Sequence, residues 1–175
     1  LDTRGGDNNN SDGFIGAAGS SIRNSLIDTL DDGIKIYHDI EIENVTIRQH
    51  RNGAAIQFGW GGEDGKARAS IRDLTIVGAN PHQRYNMAPF TWEAGRKGSR
   101  IIEIEGLTVR FEGEIYNESM DVWSDAGLFE LKPSQCTFEL RAAKVDLAGL
   151  GLGRRDTMGR VYIEETSKTE KAVVE

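Results

Sequence analysis

Cysteine is almost missing from this chain. Cys136 is the only one in 175 residues, so no disulfide can close within it and packing must hold the fold. It stands in the alternating stretch Gln135-Cys136-Thr137, where a buried thiol is expected rather than a nucleophile. Proline is limited to three residues, helical periodicity is nearly absent, and no apolar run approaches the roughly 20 residues that span a bilayer. Basic residues are outnumbered, 21 Lys and Arg against 28 Asp and Glu, which leaves a net charge of −7. That balance argues against a nucleic-acid backbone as main partner, and a neutral polymer or small polar ligand is expected instead. The three histidines, His38, His50 and His82, lack the spacing of a metal triad, so no metal and no cofactor is expected.

What the chain does have is a repeat. Ile22-Arg23-Asn24-Ser25-Leu26-Ile27, Ile42-Glu43-Asn44-Val45-Thr46-Ile47, Ile71-Arg72-Asp73-Leu74-Thr75-Ile76 and Ile104-Glu105-Gly106-Leu107-Thr108-Val109 share one pattern. It runs apolar, charged, Asn/Asp/Gly, apolar, small polar or apolar, aliphatic. The copies start at 22, 42, 71 and 104, so they are 20, 29 and 33 residues apart, a period with insertions. Short alternating strands separated by Asn, Asp and Gly predict an all-β, right-handed parallel β-helix, with Asn24, Asn44, Asp73 and Gly106 at equivalent turns. An antiparallel β-sandwich is the alternative architecture. Residues 1–163 form the expected helix, and the charged segment 164–175 is a tail or capping strand. Three longer insertions, Gly59 to Ala69, Ala79 to Ser99 and Glu112 to Ala126, are expected as loops that wall a groove.

The stretch that demands an explanation is Leu30-Asp31-Asp32-Gly33-Ile34-Lys35-Ile36-Tyr37, preceded by Ser11-Asp12-Gly13. Adjacent carboxylates at the head of an Ile-x-Ile strand cannot both ionise freely without water, counter-charge or a ligand between them. Stacked rungs lie about 4.8 Å apart, so carboxylates from successive turns of a β-helix converge in space. Lys35 and Tyr37 alternate with Ile34 and Ile36 and should share the outward face, and Gln57 follows one rung later. These three are expected either to contact polar groups of a ligand and tune the carboxylates or to form a solvated strand face. Trp60, in Gly59-Trp60-Gly61-Gly62, is a candidate ring for stacking on a ligand, and equally a loop anchor.

Asp12, the Leu30–Tyr37 stretch and Asn52-Gly53-Ala54-Ala55-Ile56-Gln57-Phe58-Gly59-Trp60 together resemble the core of glycoside hydrolase family 49, the dextranases and isopullulanases. The resemblance covers about residues 10 to 76; beyond that only the rung pattern persists. It implies a secreted, extracellular enzyme that hydrolyses α-glucosidic bonds with inversion, using Asp31 as general acid and Asp12 with Asp32 to activate water. It also implies further rungs and an N-terminal β-sandwich ahead of Leu1. An uncapped solenoid end would expose strand edges open to self-association. The competing expectations are a carbohydrate-binding β-helix without turnover and a purely structural solenoid in which Asp32-Gly33 is only a turn.

Overall fold

The computed structural model describes residues 11–50, 52–60, 65–78, 85–86, 89–92, 98–111, 129–131, 136–146, 161–163 and 171–174. Among them there is no helix, and therefore none long and apolar enough to cross a membrane. The strands are β1 (Phe14–Ile15), β2 (Ser20–Thr29), β3 (Ile34–Lys35), β4 (Ile40–Gln49), β5 (Asn52–Gly53), β6 (Ile56–Gly59) and β7 (Gly65–Gly78). They continue as β8 (Tyr85–Asn86), β9 (Phe90–Trp92), β10 (Gly98–Phe111), β11 (Phe129–Leu131), β12 (Cys136–Asp146), β13 (Val161–Ile163) and β14 (Lys171–Val174).

Successive strands alternate between two six-stranded sheets, one ordered β1-β3-β6-β9-β11-β13 and the other β2-β4-β7-β10-β12-β14; β5 and β8 make a small third sheet. Every described pairing is parallel, which rules out the antiparallel sandwich and is compatible with a β-helix.

The repeat sets the register of the larger sheet. Ile22 pairs with Ile42, Ile42 with Ile71 and Ile71 with Ile104, so the four copies stack in phase. Midway along each long strand the backbone turns left-handed, with φ of 49° at Asn24, 50° at Asn44, 53° at Asp73, 80° at Gly106 and 56° at Lys144. Asn, Asp and Gly tolerate that region, which is why the repeat places them there. The Asn44 amide also donates to Asn24 Oδ1 at 2.8 Å, the stacking expected of these turns. Interior columns of Ile42 and Ile71, Val45 and Leu74, and Ile47 and Ile76 are buried, each side chain worth about 1.5–3 kcal/mol. Outside, Arg23 pairs with Glu41 and Glu43 and Arg72 with Glu43, exposed rungs of alternating charge worth about 0.2–1 kcal/mol each.

The described residues of two expected loops are mostly strand. The glycine-rich insertion ends at β7, because Ala67 and Ala69 are buried by an alternation too weakly apolar to stand out in sequence. Within Ala79 to Ser99, Phe90 and Trp92 belong to β9 and to the core, not to a groove wall. Phe90 stacks on Phe58 with ring centroids 6.3 Å apart. Fully buried Arg100 lies 4.8 Å from the Trp92 ring and donates to the Phe58 carbonyl at 2.9 Å, so a cation belongs to this core. The segment read as a tail or capping strand carries β14, paired with β12. Glu112 to Ala126 lies outside the described residues, as does the side chain of Cys136.

Candidate active site

The six-stranded sheet that begins with β1 builds the site through its first three strands. Phe14, Ile34 and Ile56 are register partners, so the residues just before β1, β3 and β6 stack on one another. Main-chain bonds continue that stacking outward: Gly13 N–H donates to the Asp32 carbonyl at 2.8 Å and Gly33 N–H to the Ala54 carbonyl at 2.9 Å. Asp12 and Asp32 thus stand one above the other although twenty positions apart, and Asp31 adjoins them. Asp31 and Gly33 are bends in the connection from β2 to β3, and Gly33 sits in a parallel stack and not in a hairpin.

One carboxylate oxygen from each of Asp12, Asp31 and Asp32 lies within 4.8 Å of the others. Asp31 and Asp32 are buried and Asp12 is exposed. Asp32 is held at both oxygens. Oδ1 accepts the Ala54 N–H at 2.8 Å, and Oδ2 accepts the Gln57 amide at 2.7 Å with the Lys35 ammonium 3.4 Å away. The Tyr37 hydroxyl donates to Gln57 Oε1, which turns the amide so that its NH₂ faces Asp32. Lys35 Nζ also binds Asp12 Oδ2 at 2.7 Å, and Asp31 Oδ1 accepts the Asp32 N–H at 2.8 Å.

Five of the seven residues singled out in sequence therefore form one group with direct bonds: Asp12, Asp32, Lys35, Tyr37 and Gln57; Asp31 joins it through the Asp32 backbone. As expected, Ile34 and Ile36 are buried while Lys35 and Tyr37 are only partly so. Trp60 stands just past β6, 55% exposed. Lys35 is engaged with two carboxylates, so its part is to hold and neutralise them more than to meet a sugar hydroxyl. The trio has the donors for a divalent cation, but the ammonium already supplies the counter-charge between Asp12 and Asp32.

Two contributors escape a reading of the sequence as individual residues. Ala54 acts through its N–H, which no side-chain pattern reveals. Gly53 has φ +68°, and a Cβ there would lie 2.3 Å from Asp32 Oδ1 and 2.4 Å from Asp31 Oδ1. A glycine directly before a buried run is the available signal.

Burial pushes the Asp32 carboxyl up from its ordinary 3.8 to about 6, with Asp31 and Asp12 adding to the rise and the Ala54 N–H and Lys35 opposing it. For Lys35, burial works against the charged form, but the bond to Asp12 and the charges of Asp32 and Asp12 outweigh it and the pKa is raised. The folded chain thus holds the Asp32 proton more tightly than the unfolded chain does. Its contribution to stability is present below pH 3.8 and is lost as pH rises through about 6, amounting to about 3 kcal/mol by linkage. Urea denaturation of the wild type from pH 3.5 to 7 should show that decline, and Asp32→Asn should lack it.

Comparisons with protein-family models, with curated proteins and with solved structures give no match.

Proposed function

We propose that the chain is a secreted glycoside hydrolase cleaving α-glucosidic bonds of a neutral, dextran- or pullulan-like polysaccharide on Asp12, Asp31 and Asp32, carried by a right-handed parallel β-helix. The handedness follows the general rule for parallel crossovers. What supports the activity is the convergence of three carboxylates, two of them buried, on one spot wired by Lys35 and Gln57. Asp32, surrounded by N–H donors, works ionised, as the base that takes a proton from water. A base with a pKa near 6 is stronger than an ordinary aspartate and still ionised at neutral pH. Asp31 then serves as the acid that protonates the leaving oxygen, and Asp12, paired with Lys35, helps hold the water. With Asp31 protonated as the acid, ionised Asp12 and Asp32 still outweigh the one Lys35 ammonium and disfavour an anionic sugar, so polygalacturonate should not be cleaved. A polymer of this size is met outside the cell. Ile15 and Leu26, 56% and 51% exposed on β1 and β2, the outermost of the described strands, support self-association there.

Reducing-end release from dextran, pullulan and polygalacturonate tests the activity. Release from a glucan alone is expected; a folded sample that releases nothing from any of them overturns hydrolysis in favour of a binding module. Carboxyl groups of an inverting pair usually stand about 6.5–9.5 Å apart, leaving room for water. The closest oxygens here are within 4.8 Å, an observation that favours a second course, retention through an aspartyl–glucosyl intermediate. Proton NMR of the first-formed anomer separates the two: β-product from an α-glucan means inversion, α-product retention.

Replacing Lys35 by Met removes a cation that holds the Asp32 pKa down. The acid limb of the pH–rate profile should then move above pH 6, and an unmoved limb would assign that limb to another group.

A further inference from the structure

At the end of β2 lies a hydroxyl that neither the core nor the acid–base chemistry uses. Thr29 is fully buried. Its Oγ1 donates to the Ser11 carbonyl and accepts the Asp31 N–H at 3.3 Å. Ser11 immediately precedes Asp12, so one side chain grips both aspartate-bearing segments. Thr29 is itself anchored: its carbonyl accepts the His50 N–H at 3.0 Å, and the adjacent Asp28 carboxylate is bonded to His50 Nε2 at 2.5 Å. The Asp12 segment leads into a two-residue strand at the sheet edge, where few ladder bonds fix it.

We infer that Thr29 is a positioning residue, whose hydroxyl bridge between Ser11 and Asp31 sets the separation of Asp12 from the Asp31–Asp32 pair. The role rests on the glycosidase function proposed above. Water cannot make this bridge, because the hydroxyl is enclosed; main-chain bonds join the segments at Gly13 and Phe14 at 2.8 Å, but the one from Asp31 N–H to the Ser11 carbonyl is long, 3.4 Å, and it is there that the hydroxyl adds its two bonds. A displacement of about 1 Å at a catalytic group costs about 10²-fold in rate.

Thr29→Val preserves shape and removes the bridge, and Thr29→Ser keeps the hydroxyl and removes a methyl. The Val variant should lose about 10²-fold in kcat with KM changed less than about twofold, while the Ser variant keeps most of its rate. Should the Val variant fail to fold, Thr29→Cys, a poor donor of similar size, replaces it with the same expectation. The second readout needs no turnover: NMR titration of the Asp32 carboxyl, which faces Asp12, Asp31 and Lys35. It should move away from about 6 toward the ordinary range in the Val variant, as water enters the loosened site, and stay in place in the Ser variant. A folded Val variant with wild-type kcat and an unmoved titration overturns the assignment, and so does a Ser variant as impaired as Val, which would make the methyl the active part. If the wild type cleaves no glucan the proposed hydrolysis fails, yet the titration still decides whether the bridge sets the carboxylates.

Discussion

Asp31→Asn is expected to cut reducing-end release from the cleaved glucan by about 10²- to 10⁴-fold while leaving the fold intact. Asparagine keeps the shape and keeps an oxygen to accept the Asp32 N–H, so the turn should persist. What disappears is the proton for the leaving oxygen. The loss should therefore shrink with an aryl α-glucoside whose phenolate leaves without protonation. Asp32→Asn should be impaired to a similar degree but for the opposite reason, because it lacks the base that deprotonates water. An activated leaving group should not rescue it, and a small anion such as azide, entering where water attacks, should. The two variants thus carry different signatures although their residues are neighbours in the chain. Wild-type rates in Asp31→Asn would remove it from the chemistry, and rescue of both variants by the aryl substrate would remove the acid–base division between them.

Much of this arrangement is legible because the repeat is spelled in residue types with narrow conformational tolerance. An Asn, Asp or Gly between two aliphatics marks a left-handed corner, and the stacking of Ile22, Ile42, Ile71 and Ile104 follows once the corners are aligned. The next rung escapes that pattern. Ala142 pairs with Ile104, and Lys144 occupies the corner at φ 56°, a residue with no special tolerance for that region, so nothing in its identity announces the turn. Lys144 forms an exposed ion pair with Glu105 from the preceding rung, a fact of tertiary contact that the local pattern cannot hold. Phe90 and Trp92 pass for loop aromatics for a related reason: β9 is three residues long and set between segments without periodicity. The site divides along the same line. Side chains with charge, hydroxyl or amide groups, Asp12, Asp32, Lys35, Tyr37 and Gln57, can be named from spacing and alternation. Contributions made by the backbone N–H of Ala54, by the buried hydroxyl of Thr29 and by the missing side chain of Gly53 depend on what lies opposite them in space.

Gly53→Ala is the second change expected to be severe, and it reaches the site with a single methyl. The backbone at Gly53 is left-handed, where a side chain costs about 1–2 kcal/mol. The added carbon would also meet Asp32 Oδ1 at 2.3 Å and Asp31 Oδ1 at 2.4 Å, so both carboxylates must turn away, at a further cost of about 1–3 kcal/mol. Turning Asp32 breaks its bonds to the Ala54 N–H and the Gln57 amide together, since both depend on the same carboxylate orientation. Activity should fall by about 10²-fold or more even in the fraction that folds, because the acid and base no longer face one point. Gly19 separates strain from clash. It has φ +80°, but a methyl added there would meet nothing within 4 Å, so Gly19→Ala suffers the backbone strain alone. Urea midpoints for the two variants should drop in the order Gly53→Ala more than Gly19→Ala, and glucan hydrolysis should fail only in the first. Equal loss of activity in both would mean that backbone strain is transmitted to the carboxylates from a distance, and full activity in Gly53→Ala would mean that Asp31 and Asp32 need not be held as they are for the reaction to run.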